Sequence, residues 1–105
     1  MKVVVNNILP VKGFSAINLF GILFVRQGVV VTERLLNHES IHTAQMREML
    51  YVFFYAWYVM EWAVKLIKFR SKSYYHVSFE RECYEHEHNL EYLKNRKLFN
   101  WVKFI

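Results

Sequence analysis

The spacing of apolar residues changes near residue 32, and this change divides the chain into two kinds of structure. Before it, short β-branched and aliphatic runs are separated by Gly, Pro and Asn, a pattern typical of strands and turns. We predict strands over residues 3–5, 17–26 and 29–31, with a turn-bearing connection over 9–13. Gly21 would mark a bulge or a close approach of the backbone, and Gln27-Gly28 would join the last two strands as a hairpin. This part of the chain therefore predicts a small antiparallel sheet.

From Thr32 onward the pattern predicts helices, beginning with Thr32 as an N-cap. No Gly or Pro occurs between Thr32 and Ser71, which is too long for one helix in a small domain. We therefore predict a break between residues 45 and 51, followed by a nearly all-apolar second helix over 50–69. A third helix is predicted from Ser78, as its N-cap, to about Arg96. The residues of its buried face would be Phe79, Cys83, His86, Leu90 and Leu93.

These elements predict one α+β domain spanning residues 1–105, with a small antiparallel sheet followed by three helices. A chain of 105 residues that is 54% hydrophobic can build a thin core, but it is too short to form two domains around a broad cleft. The single cysteine, Cys83, cannot form an internal disulfide, and the apolar run at the N-terminus is too short for a signal peptide. We therefore expect a cytoplasmic protein, with membrane association left open.

The most informative motif is His38-Glu39-Ser40-Ile41-His42, which reads H-E-x-x-H. Two imidazoles four residues apart on a helix can reach one metal ion from one side. Glu39, between them, can take a proton from a water molecule at that ion. The alternative is a cluster of charged residues on a solvated helix face. The neighbouring Leu35, Leu36, Ile41 and Ala44 favour a site at the apolar edge of an amphipathic helix.

A zinc site needs a third ligand, and the chain contains no Asp. Candidate Glu, His and Cys residues concentrate between residues 78 and 88. Glu80 and Glu82 lie on opposite sides of the apolar stripe there, so helical geometry does not choose between them. His86 and His88 are weaker candidates. Cys83 is better explained as a small core residue, because it lies on the apolar face.

At these two motifs the chain resembles the gluzincin metallopeptidases, in which H-E-x-x-H is followed on a later helix by E-x-x-A-(D/N). The matching stretch here is Glu80-Arg81-Glu82-Cys83-Tyr84, and Gln45 matches the H-E-x-x-H-x-x-Q variant of small zincin-like families. The short chain is similar to the minigluzincins. The resemblance implies a zincin-like minimal catalytic domain that hydrolyses peptide or protein substrates. It also implies zinc as cofactor.

By the same resemblance, His38, His42 and Glu80 would be the zinc ligands and Glu39 the general base. Two positions depart from the family pattern. Cys83 replaces the usual Ala, and Tyr84 replaces the Asp or Asn that steadies a ligand histidine. A phenol at position 84 could instead donate a hydrogen bond to an oxyanion.

The run over residues 49–60 contains twelve apolar or aromatic residues without a charge. One face of such a helix should stay exposed in a thin protein, and it could contact a membrane surface or a second copy in a homo-oligomer. The net charge of +5 suits an anionic lipid surface. We expect no nucleic acid as partner, because the aromatic residues fall in one helix rather than among Lys and Arg. The alternative function is a catalytically inactive zincin-like protein that acts through this aromatic helix.

The last aromatic and basic residues, 98–105, allow a short helix or a strand. A further hypothesis is that their aromatic side chains cover the cleft as a built-in inhibitor.

Overall fold

The structure, a computed structural model, describes residues 2–8 and 15–105. Within these residues, three strands form a mixed sheet: β1 (Lys2–Asn6), β2 (Ala16–Leu19) and β3 (Ile22–Arg26). Their order in the sheet is β1-β3-β2, with β1 parallel and β2 antiparallel to β3. The prediction of an antiparallel sheet was therefore wrong for β1. The turn-bearing connection predicted over 9–13 lies outside the described residues.

The hairpin falls at Phe20-Gly21, not at Gln27-Gly28 as predicted. Phe20 has φ 52° and Gly21 has φ 88°. Two consecutive positive φ values are what a two-residue type I′ turn requires. The apolar run over 17–26 is therefore two strands, and residues 29–31 form an irregular link to the first helix.

The first two helices follow the predicted order. α1 (Glu33–Glu48) is capped by Thr32, whose hydroxyl accepts a hydrogen bond from the Leu35 N–H at 3.0 Å. α2 (Val52–Phe69) follows after a break at residues 49–51, where Leu50 and Tyr51 have positive φ angles. The predicted cap and the predicted break are both confirmed.

The third predicted helix is shorter than expected. After a 3₁₀ turn at Arg70–Lys72 and a short α3 (Ser73–His76), α4 spans Ser78–His86. A separate short α5 (Tyr92–Asn95) follows. The prediction of one helix to Arg96 was wrong, and Leu90 is exposed rather than buried.

A side chain from α1 explains where α4 ends. The amide of Asn37 donates hydrogen bonds to the carbonyl oxygens of Glu87 at 2.8 Å and Asn89 at 3.0 Å. These carbonyls therefore have a partner on α1 rather than in a continuing helix. The same contacts hold α4 against α1.

Ser78 is the first residue of α4 rather than its N-cap, because Val77 occupies that position. The cap comes from α2. The carboxylate of Glu61 accepts hydrogen bonds from the Ser78 N–H and the Ser78 hydroxyl, both at 2.6 Å. A buried acid on one helix thus fixes the beginning of another.

The main hydrophobic cluster lies where α1, α2 and α4 meet, and it includes Met46, Phe54, Val77, Phe79 and Trp101. Trp101 belongs to a 3₁₀ helix at Asn100–Phe104, so the C-terminal segment forms a short helix and contributes to the core. Among the described residues, no single helix has the length and hydropathy to cross a membrane. Only α1 (Glu33–Glu48) taken together with the helical stretch Val52–His86, which begins with α2, meets that test, and these two are bent by 110° relative to each other.

Candidate metal centre

Two buried histidines on α1 form the centre of the candidate site. His38 and His42 lie one helical turn apart, and their ring centroids are 5.0 Å apart in an edge-on arrangement. Ile41 between them is fully buried and anchors this turn in the core. The local sequence thus directs both imidazoles toward the packed interface between α1 and α4.

Glu80 on α4 reaches both imidazoles with one oxygen. Its Oε1 lies 2.9 Å from Nε2 of His42 and 3.3 Å from Nε2 of His38. Its Oε2 accepts a hydrogen bond from the hydroxyl of Tyr58 at 2.7 Å. The structure therefore brings together the three side chains that the motifs single out.

The opposite ring nitrogens are held by two further side chains. Nδ1 of His38 lies 2.7 Å from a carboxylate oxygen of Glu87, and Nδ1 of His42 lies 2.8 Å from the amide oxygen of Gln45. Both oxygens can accept a hydrogen bond, so a proton on each Nδ1 satisfies these contacts. The Nε2 atoms of both rings face Glu80.

Two imidazole nitrogens and a carboxylate oxygen thus converge in a buried space, where a proton or a cation between them is favourable. Burial would lower the pKa of His42, but the carboxylate of Glu80, whose Oε1 lies 2.9 Å from Nε2, raises it well above its usual value. Burial would raise the pKa of Glu80, but His42 and His38 lower it well below its usual value. The site therefore favours positive charge between the imidazoles and the carboxylate.

The donor set fits a zinc ion. Tetrahedral zinc bonds of about 2.0–2.1 Å place ligand atoms about 3.3 Å apart. The Nε2–Oε1 separations of 3.3 and 2.9 Å are close to that spacing. Two imidazoles and a carboxylate are also a ligand set that zinc accepts.

Glu39 lies between the two histidines in sequence and is half-buried. Its backbone carbonyl accepts a hydrogen bond from the amide of Asn18 at 2.9 Å. Asn18 belongs to β2 and also binds the hydroxyl of Thr43 at 3.1 Å. These contacts place strand β2 directly beside the turn of α1 that carries Glu39.

Glu82, the competing candidate, is engaged elsewhere. It accepts hydrogen bonds from Arg96 Nε at 2.7 Å, from the hydroxyl of Tyr92 at 2.6 Å and from the Gln45 amide at 2.9 Å. Burial would raise the pKa of Glu82, but these partners lower it. Glu82 therefore belongs to a buried ion pair rather than to the histidine cluster.

Of the remaining candidate ligands, Cys83 lies beside the two histidines, whereas His86 and His88 have other surroundings. Cys83 is fully buried, and its thiol donates to the His38 carbonyl oxygen at 3.4 Å; burial raises the pKa of this thiol to about 12. Potential ligand atoms of Cys83, His38 and His42 lie within 4.8 Å of one another. His86 stacks on Tyr92 with centroids 3.8 Å apart, and His88 is exposed.

Sequence reasoning missed two partners of the site, Glu87 and Tyr58. Glu87 lies seven residues after Glu80, which is two helical turns, and that spacing was a usable signal. Nothing in the aromatic run marked Tyr58. Tyr84, where the family pattern has Asp or Asn, places its ring 4.9 Å from that of His38. The carboxylate that orients His38 comes instead from Glu87.

Comparison of the chain with protein-family models, with curated proteins and with solved structures finds no match in any of the three.

Proposed function

We propose that the protein is a zinc-dependent metallopeptidase with a zincin-like fold. The observation that carries the proposal is the convergence of His38 Nε2 and His42 Nε2 on Glu80 Oε1, beside the acid of an H-E-x-x-H motif. In this proposal His38, His42 and Glu80 hold the ion, and Glu39 is the general base.

The substrate would be an extended peptide lying along β2. This strand pairs with β3 on one side and, among residues 2–8 and 15–105, is an edge of the sheet. An edge strand can bind a peptide by strand addition through the backbone N–H and carbonyl groups that remain free. On β2, the carbonyl of Asn18 already accepts a hydrogen bond from the Tyr55 hydroxyl at 3.3 Å. The Asn18 contacts hold this edge next to Glu39.

Zinc, when bound, would supply a Lewis acid that polarises the scissile carbonyl and acidifies water. Glu39 accepts the proton of the attacking water and returns it to the leaving amine. Tyr84 is near His38 and partly exposed, and burial raises its pKa to about 12. Its phenol therefore keeps its proton and can donate a hydrogen bond to the developing oxyanion.

The test compares wild-type protein with Glu39→Gln, both loaded with zinc. Glu39→Gln should retain one zinc per chain by elemental analysis and should cleave a peptide library at least about 100-fold more slowly, because it lacks the base. Glu33→Gln is the matched control on the same helix and should behave as wild type. Equal cleavage by wild type and Glu39→Gln would refute the assignment of Glu39.

A second candidate function is a zincin-like protein without activity, whose metal site is closed by Cys83. The observation in its favour is that Cys83 shares a 4.8 Å cluster with both histidines. A closed site fills all four positions with protein atoms. Cobalt-substituted protein would then show a thiolate charge-transfer band, and zinc-loaded wild type would cleave no peptide.

A further inference from the structure

Helix α2 presents an apolar surface to the outside, and this surface is separate from the candidate metal centre. Its inward side carries Phe54, Tyr58 and Glu61, which contact the core, Glu80 and Ser78. On the outward side, eight large apolar side chains are 40–87% exposed. We call this surface the outer face of α2; it includes Val52, Phe53, Val59, Val64 and Ile67.

The size of this surface distinguishes it from scattered exposed apolar residues. The helix has 18 residues and is therefore about 27 Å long. Apolar side chains are exposed along that whole length, from Val52 to Ile67. A continuous exposed apolar surface of this kind usually marks a contact with a membrane or a partner.

The charges around the outer face have one sign. Lys68, Arg70 and Lys72 are exposed at its C-terminal end, and Lys65, one turn earlier, is half-buried. Between residues 49 and 77 the only acidic residue is Glu61, which is buried and holds Ser78 and Trp57. The exposed surface of this segment is therefore apolar and cationic.

This charge pattern favours a lipid surface over a second copy of the chain. In a two-fold pair with parallel α2 helices, Lys68, Arg70 and Lys72 of one copy would face those of the other. In an antiparallel pair they would face the start of α2, where Glu48 is already buried against Arg96. In neither arrangement does α2 offer these cations an exposed carboxylate of the other copy, whereas an anionic bilayer supplies phosphates next to an apolar interior.

We propose that the outer face of α2 docks the protein on an anionic lipid surface. The apolar side chains enter the boundary between headgroups and acyl chains, as in an interfacial amphipathic helix. Trp62, which is 40% exposed, lies at headgroup depth, and Lys68, Arg70 and Lys72 bind lipid phosphates. The docking requires neither the metal ion nor catalytic activity.

Flotation with vesicles tests this proposal on the full chain. Wild type should float with vesicles of phosphatidylcholine and phosphatidylglycerol at 3:1, and bind more weakly to phosphatidylcholine alone or in 0.5 M salt. Val64→Ser/Ile67→Ser should weaken the partition coefficient by about tenfold, because both side chains would enter the lipid. Val30→Ser/Leu98→Ser is the matched control, since both residues are as exposed but lie outside α2.

Lys68→Glu/Lys72→Glu provides an independent readout and should remove the preference for anionic vesicles. The proposal is overturned if wild type does not float with the anionic vesicles, or if Val64→Ser/Ile67→Ser floats as wild type does. A third result would also overturn it: wild type forms a stable dimer by light scattering and fails to float, and the substitutions Val64→Ser/Ile67→Ser dissociate that dimer. That last result would assign the outer face to a second copy.

Discussion

Glu80 and Glu82 are two residues apart on α4, yet their carboxylates have different partners. Successive helical residues are rotated by about 100°, so the two side chains leave the helix on opposite sides. Glu80 faces two imidazoles, and Glu82 faces the guanidinium of Arg96. Because Glu80 and Glu82 carry the same side chain, the same substitution at each position allows their effects on zinc binding to be compared directly.

Glu80→Gln should reduce the zinc content of purified protein well below one equivalent, because an amide is a weak zinc ligand. Glu82→Gln removes the same charge two residues away and should retain zinc. Elemental analysis of the two variants, after circular dichroism has shown that both are folded, measures the difference. Zinc retained by Glu80→Gln and lost by Glu82→Gln would reverse the assignment.

Glu87 supports the site without being one of the proposed ligands. Its carboxylate holds His38 Nδ1 at 2.7 Å and is itself bound by Arg34 at 2.9 Å. Glu87→Ala should weaken zinc binding by about 10- to 100-fold in a competition titration, because the imidazole loses its orientation. Glu87→Gln should recover part of the affinity, since its amide oxygen can still accept from Nδ1.

Glu85→Ala serves as the control for Glu87, because Glu85 is an exposed acid on the same helix. If both alanine variants bind zinc as tightly as wild type, Glu87 has no role in positioning His38.

For individual side chains, the two motifs predicted which ones meet, namely His38, His42 and Glu80. They did not predict Glu87 or Tyr58, because those contacts depend on how far α4 continues and how α2 is rotated. The choice between Glu80 and Glu82 also required coordinates. Only the folded positions of Arg96, Tyr92 and Gln45 show that Glu82 already has partners.

Among the elements, α4 depends on a cap from another helix. The buried carboxylate of Glu61 accepts from the Ser78 N–H, the Ser78 hydroxyl and the Trp57 indole, the last at 3.0 Å. This arrangement fixes the beginning of α4 and therefore the position of Glu80 two residues later.

Glu61→Ala should lower the free energy of unfolding by about 2–3 kcal/mol, because it leaves buried donors without an acceptor. Urea denaturation followed by circular dichroism measures the change. Glu91→Ala is the control, since Glu91 is exposed and its pair with Lys94 should contribute less than about 1 kcal/mol. Equal stability of the two variants would contradict the capping role.

Local sequence predicted the elements whose ends are set locally. Thr32 caps α1 through a contact three residues away, and the break after α1 follows from the excessive length of the helical pattern. The end of α4 was missed because Asn37, fifty residues earlier, binds the carbonyl of Glu87. The Phe20-Gly21 turn was missed because Phe at a positive φ gives no turn signal.

For the whole molecule, the C-terminal segment joins elements that are far apart in sequence. The side chain of Arg96 is only 4% exposed and pairs with Glu48 of α1 and Glu82 of α4. Trp101 packs on Phe79 with centroids 4.6 Å apart. The hypothesis that this segment acts as a cleft inhibitor therefore competes with a role in stability.

Arg96→Met should destabilise the fold by about 3–5 kcal/mol, because it leaves two buried carboxylates facing each other without a cation. Thermal denaturation should show this loss, whereas Lys97→Met, at an exposed position, should melt like wild type. Deleting the residues after Asn95 should likewise give unfolded protein. A truncated chain that remains folded and cleaves peptides faster would instead support inhibition.

The amide of Gln45 has a consequence for communication within the protein. Its oxygen binds His42, and its nitrogen binds Glu82 in the Arg96 ion pair. Rotating this one amide breaks both contacts, so the two networks are thermodynamically coupled. Such coupling is reciprocal. An ion that steadies His42 should also protect the C-terminal segment from proteolysis, and loosening that segment should speed release of the ion.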